Sequence, residues 1–345
     1  SSHAGLIARP IWKGWALTQG GDKFTGKQLG PRTPDPLTFT SVEDIIDAYA
    51  EQLRFFNERL VRMGNIGDAL YEQYAPRPFL SALLDGCIEK GKDCRSWAYY
   101  GRRSIVVAGP INVADSITAI KKLVFEEKRV SMEELLEALK NNWEGKEELR
   151  QMFINEAPKF GNDDEYADEI ASKVSYKTTE VMEQAKGYFG DPIEVDGSIA
   201  SSNYGLAFDT GATSDGRRDR EAFADGTISP TQGRDKNGPT AVLKSVSKVD
   251  PTLSHNHLLN QRFMPKFLEG KNKQVFAQYL KTWFDLNIHH VQFNVVDKDI
   301  LLNAQEYPEK HTDLVVRVAG YAAYFVDLSR GLQDDIIART EQSLG

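Results

Sequence analysis

Arg317-Val318-Ala319-Gly320-Tyr321-Ala322-Ala323-Tyr324-Phe325, followed by Ile336-Ile337-Ala338-Arg339-Thr340-Glu341, is the stretch on which the reading of this chain turns. Leu314 to Ala319 is a short apolar run of the kind that forms a buried strand. A glycine directly after such a run commonly marks a turn or a close approach of two backbones. Glycine also carries a chemical option: lacking Cβ, it accepts unusual dihedrals, and its α-carbon can flatten between amide nitrogen and carbonyl without side-chain clashes. Taken alone, Val318 to Tyr321 favours the turn.

Other segments repeat the theme of long, ordered loops. They are Ala157-Pro158-Lys159-Phe160-Gly161-Asn162-Asp163, Gly211-Ala212-Thr213-Ser214-Asp215-Gly216-Arg217-Arg218, Phe223-Ala224-Asp225-Gly226-Thr227-Ile228-Ser229-Pro230, Asn237-Gly238-Pro239-Thr240-Ala241 and His290-Val291-Gln292-Phe293-Asn294-Val295. In this order, and together with the stretch from Arg317 to Glu341, they closely resemble the glycyl radical enzymes of the pyruvate formate-lyase superfamily. The resemblance covers more than half of the chain and reverses the odds at Gly320, which corresponds to the glycine that stores an unpaired electron.

The resemblance implies an α/β fold: the second half of a ten-stranded α/β barrel surrounded by helices, with a C-terminal glycyl radical loop that meets a cysteine loop from the other end. It implies residues 1–220 as a helical and half-barrel portion and 221–345 as a glycyl radical domain. The implied activity is that of an anaerobic radical lyase, closest in look to the dehydratase and lyase branch. Carbon-carbon chemistry of the arylacetate decarboxylase, fumarate-adding synthase or formate acetyltransferase type is the alternative. No bound cofactor is expected. The radical would be installed by an activating enzyme that uses S-adenosylmethionine and an iron-sulfur cluster. A homodimer is expected, as is a cysteine-bearing N-terminal half or partner subunit.

The cysteine is the point of difficulty. Gly86-Cys87-Ile88-Glu89 matches the family's Gly-Cys-x-Glu by letter, and makes Cys87 a candidate thiyl site. Its flanks, Pro78-Phe79-Leu80-Ser81 and Lys90-Gly91-Lys92, resemble instead a helix downstream of the cysteine loop, where Cys87 is a small packed residue. On that alignment the catalytic cysteine lies ahead of Ser1, and the polypeptide is a fragment or the second piece of a split enzyme. His3 then falls where related dehydratases and lyases contact substrate, although a frayed terminal histidine is an equal reading. Arg339 resembles a position near the barrel interior, where a guanidinium suits a carboxylate, a carbonyl or a substrate group, with a salt bridge to Glu341 or Asp335 as the competing use. Arg317 and Tyr321 flank the glycine as supports of its loop.

Composition sets wider bounds. With 345 residues, 41% hydrophobic and 27% charged, the chain can bury a large core. A formal net charge of -8 disfavours nucleic acid as a partner, since phosphate neutralisation needs a basic surface. No apolar run approaches the ~20 residues that span a bilayer, and no signal pattern opens the chain, so a cytoplasmic location is expected. Two cysteines do not make a disulfide framework. His255-Asn256-His257 and His289-His290 lack the spacing of a zinc site, and no metal is assigned. Helical periodicity runs from Val42 to Leu60 behind a Ser41 capping box, and again after Ser131. Further helices are expected over 78–92, 113–127, 146–155, 164–188, 272–286 and 332–342, strands over 289–296 and 314–319, and an aperiodic loop over 190–250. So long a loop implies function, or folding around a site.

Overall fold

The computed structural model describes residues 6–8, 17–22, 25–97, 103–197, 199 and 201–342; His3 lies outside them. The helices used below are α1 (Val42–Tyr74), α2 (Pro110–Ile120), α3 (Met132–Lys140), α4 (Glu147–Asn155), α5 (Glu165–Met182), α6 (Pro239–Ser247), α7 (Asn272–Asp285), α8 (Lys298–Glu306) and α9 (Arg330–Ala338). The strands are β1 (Leu6–Ala8), β2 (Arg103–Val107), β3 (Ile193–Asp196), β4 (Leu259–Phe263), β5 (Val291–Val295), β6 (Val315–Arg317), β7 (Ala322–Tyr324) and β8 (Glu341–Gln342).

The α/β class holds. Among the described residues the strands form two three-stranded parallel sheets, ordered β1-β2-β3 and β5-β4-β8, and one antiparallel hairpin, β6-β7. Parallel strands need crossover helices that cover the sheet faces. α2 is such a helix: all of its residues are buried, and it continues into a π-helical turn over Lys121–Glu126. α1 starts at the expected capping box, where Ser41 Oγ accepts from Asp44 N at 3.2 Å and the Asp44 carboxylate accepts from Ser41 N at 2.9 Å. Val42, Ile45, Ile46, Tyr49 and Leu53 form its buried face. It continues past the Leu60 end of its periodicity to Tyr74, and in that extension its apolar residues Met63, Ile66, Leu70 and Tyr74 are exposed.

The segment 190–250 is less irregular than its composition. It holds β3, two short helical turns from Ser202 to Asp209, and α6. What orders the loops between them is α2. Asn112 Oδ1 accepts from Ala224 N at 2.8 Å, and its Nδ2 donates to Asp215 Oδ2 at 2.8 Å. One turn on, Asp115 accepts from Phe160 N at 2.9 Å and from Thr231 Oγ1 at 3.0 Å. Two fully buried side chains on one helix face thus fix three loop motifs. Lys159 Nζ lies in the same interior, donating to Phe153 O at 2.8 Å and Ala157 O at 3.0 Å. Burial sets the titration here, raising the Asp115 carboxyl to about 6 and lowering the Lys159 ammonium to about 8.

The sign for Asp115 follows from linkage. Its folded-state pKa exceeds the ordinary 3.8, so the folded form keeps a proton that the unfolded chain has lost, and this contribution fades as pH rises from 3.8 through about 6. Urea denaturation between pH 4 and 7 should therefore show Asp115→Asn gaining on the native chain as pH rises, by up to about 3 kcal/mol across the window. Parallel pH profiles for the two proteins would refute this.

Candidate active site: the Gly320 loop

Alternation along two paired strands builds the site. β4 and β5 pair in parallel with Asn260 opposite Gln292 and Arg262 opposite Asn294, so these four polar side chains share one sheet face. The opposite face is aromatic: Phe263 and Phe293 pack with Phe276 and Tyr279 of α7, and Tyr279 Oη donates to Gln261 at 2.6 Å. Oil on one side anchors the sheet. Amides on the other side are left to find partners.

Those partners are main-chain atoms of the β6-β7 turn. Asn294 closes on Arg317, its Oδ1 accepting from Arg317 N at 2.7 Å and its Nδ2 donating to Arg317 O at 2.5 Å. Gln292 Oε1 accepts from Gly320 N at 2.9 Å. The turn is closed by Val318 N donating to Tyr321 O at 2.9 Å. Gly320 sits at its tip with φ +77, a left-handed conformation natural to glycine, and a Cβ added there would meet nothing within 4 Å. Its position is exposed among the described residues.

Arg339 closes the site from below. α9 ends at Ala338, and the chain then extends, so that Arg339 turns inward and Glu341–Gln342 join β4 as β8. The expected helix to 342 is shortened for this reason. Arg339 Nη1 donates to Val318 O at 2.7 Å, Nη2 donates to Asp335 Oδ2 at 3.0 Å, and Nε lies 3.0 Å from Asp225 Oδ2. All three residues are buried. Burial works against the guanidinium charge, but Asp225 and Asp335 outweigh it and hold its pKa above the ordinary value. Asp225 is held in turn by Asn260 Nδ2 at 2.7 Å, and Asp335 by Gln232 Nε2 at 2.7 Å. Gly226 allows the approach: at φ +61, a Cβ would lie 2.1 Å from Leu258 O. Arg262 donates to Ile336 O and Ile337 O, both at 3.1 Å, capping the C-terminal carbonyls of α9.

The sequence-derived candidates fall in three places. Gly320, Arg339 and the backbone of Arg317 are brought together, with Arg339 placed on loop carbonyls and carboxylates, including the Asp335 pair foreseen as its competing use. The Arg317 side chain and Tyr321 are exposed. Cys87 belongs elsewhere: it opens a short helix, Cys87–Lys90, that packs against Pro78–Ala82 and Cys94–Trp97. It is buried while Glu89 is exposed, and burial, then Cys94, Asp93 and Glu89, push its thiol upward. Gln292, Asn294, Asn260 and Asp225 carry the geometry without having been singled out as site residues. Asp225, Gln292 and Asn294 lie inside the quoted motifs, and the polar-apolar-polar run Gln292-Phe293-Asn294 inside a strand was a further signal.

A cavity of about 780 Å³ opens beside Asp235, Tyr279 and Gln342, away from Gly320 in its lining; burial raises Asp235 there to about 6. A smaller cavity of about 20 Å³ is bounded by Asp225, Asn260, Asn294, Arg262 and Arg339.

Replacing Arg339 by Met strands two buried carboxylates, and should cost about 3–5 kcal/mol in urea denaturation. Arg339→Lys, which keeps charge but not the fork, should fall between. Equal stability of Met and native proteins would show that the cluster does not hold the loop.

The Pyruvate formate lyase-like family profile matches residues 14–207, and the Glycine radical profile matches residues 224–326. Trans-4-hydroxy-L-proline dehydratase of Clostridioides difficile is 40% identical over 329 residues, covering 95% of this chain and 42% of the relative. Isethionate sulfite-lyase of Nitratidesulfovibrio vulgaris is 37% identical over 333 residues, covering 92% and 39%. The glycerol-bound B12-independent glycerol dehydratase from Clostridium butyricum matches in structure with a TM-score of 0.90 at 37% identity, covering 97% of this chain and 42% of that one. The chain thus spans about two-fifths of the length of these relatives.

Proposed function

The chain belongs to the glycyl radical enzymes, with their pyruvate formate lyase-like and glycine radical parts, and on that premise we propose that it is the radical-bearing catalytic segment of an anaerobic lyase. The observation that carries the reading is Gly320 itself: a left-handed glycine at a hairpin tip, its N–H held by Gln292, its backbone neighbours clamped by Asn294 and Arg339, and nothing crowding its α-carbon.

In this proposal an activating enzyme using S-adenosylmethionine and an iron-sulfur cluster removes one hydrogen atom from the Gly320 α-carbon. The radical then takes a hydrogen atom from a cysteine thiol, and the thiyl takes one from substrate. Loss of a neighbouring group follows, and the product radical recovers the hydrogen atom. A small substrate losing water is favoured, because hydroxyproline dehydratase is similar over nearly the whole chain; loss of sulfite has support from the isethionate relative. The clamp keeps Gly320 in one pose for the transfer, which needs donor and acceptor held close.

The thiol is assigned to polypeptide other than these 345 residues. Both cysteines are buried in one group of short helices, Pro78–Ala82, Cys87–Lys90 and Cys94–Trp97, where they serve as small packed residues. Cys87→Ser should retain at least half of native turnover in the assembled enzyme. Complete loss in a folded, radical-bearing variant would return Cys87 to the mechanism.

Anaerobic activation should give an electron paramagnetic resonance doublet that Gly320→Ala abolishes. The alanine has room, and its backbone strain is only about 1–2 kcal/mol, so a folded variant isolates the chemistry. Air should then cleave activated chains beside Gly320, releasing a C-terminal peptide visible by mass spectrometry and absent without activation. An undiminished doublet in the alanine variant would place the radical elsewhere.

A further inference from the structure

Gln292 stands apart from the other clamps by what it touches. Asn294 and Arg339 hold atoms of Arg317 and Val318, whereas Gln292 Oε1 accepts from the nitrogen bonded directly to the Gly320 α-carbon, at 2.9 Å. Its amide cannot be turned over, because an N–H donor demands the oxygen. The residue is 4% exposed and locked opposite Asn260 in the parallel β4-β5 ladder, so the oxygen is fixed before any chemistry begins.

Losing a hydrogen atom changes what that nitrogen offers. The α-carbon flattens, the nitrogen lone pair delocalises into its half-filled orbital, and the N–H becomes more positive and a stronger donor. An acceptor already aligned with it therefore binds the radical more tightly than the hydrogenated glycine, as a preorganised dipole does for any developing charge. Resting on the assignment of the radical to Gly320, we propose that Gln292 is a positioning residue for the radical: its carboxamide oxygen stabilises the glycyl radical relative to glycine and so sets the balance of hydrogen exchange with the thiol. In that exchange the S–H bond breaks homolytically, the Cα–H bond forms, and the unpaired electron passes from carbon to sulfur. No other oxidant or reductant takes part.

The consequence runs against ordinary damage. Weakening the hydrogen bond destabilises the stored radical and speeds transfer from the thiol, whereas a merely displaced loop slows it. Exchange is measurable without substrate: in deuterium oxide the thiol carries deuterium, each return transfer places it on Gly320, and the doublet collapses. The activated, assembled enzyme with Gln292→Met should lose the hydrogen-bonded coupling of the exchangeable amide deuteron, and its doublet should collapse roughly threefold to tenfold faster, the range for one hydrogen bond. Gln292→Glu, which keeps the acceptor, should retain the coupling and collapse no faster than the native enzyme. Asn294→Leu, which loosens the loop but leaves Gln292 in place, should retain the coupling and collapse more slowly. Collapse at the native rate or slower in a folded Gln292→Met enzyme overturns the proposal, as does acceleration by Asn294→Leu. Absence of any Gly320-dependent doublet in the native enzyme would instead sink the radical assignment beneath it.

Discussion

A residue without a side chain can be held only by its backbone, and the architecture around Gly320 answers to that constraint. Main-chain N–H and C=O groups accept partners only from amides, hydroxyls and charges, so the surface that faces the loop has to be polar although it lies inside the protein. Such a surface is unfavourable unless every member is satisfied. The structure gives one sheet two characters, with an aromatic face that packs on α7 and an amide face that closes on the loop, where Gln292 Nε2 and Asn260 Oδ1 stay buried without a partner. Strand alternation supplies both faces from the same five-residue segments.

Arg339 shows the energetics of the same solution. A buried ion cluster is seldom a source of net stability, since the desolvation of each charge offsets much of the attraction. Its value here is directional. A guanidinium fixed by Asp225 and Asp335 presents its remaining donors to the Val318 and Arg317 carbonyls at a set angle. The carboxylates come from two distant segments, one just before the Gly226 close approach and one within α9, so the loop is seated only when both are in place.

Much of this was legible in the sequence, and what was not has physical causes. Gly320 could be found because a motif surrounds it, and α1 because its buried face repeats every three to four residues. β4 could not: Leu259-Asn260-Gln261-Arg262-Phe263 has a polar middle that reads as a loop, since its function is to hold backbone and not to pack. β8 was read as helix because Glu341 and Gln342 continue a helical pattern that is broken only by the inward turn at Arg339. The loops between 157 and 231 are ordered by Asn112 and Asp115 of a remote helix, and long-range polar contacts leave no periodicity to detect. α8, a short amphipathic helix, has only Leu301 and Ala304 fully inside.

Every clamp on the Gly320 loop closes on a main-chain atom, and the outward side chains of the hairpin, Val315, Arg317, Tyr321 and Tyr324, are exposed. The ribbon is therefore posed through its peptide groups and through Val316, Val318 and Phe325, which pack in the core, while its outer face is left unread. Two kinds of information share one short segment without interfering: a pose, written in peptide groups, and an address, written in side chains. Substitutions on the outer face leave every one of those main-chain clamps intact, and the glycine keeps its place.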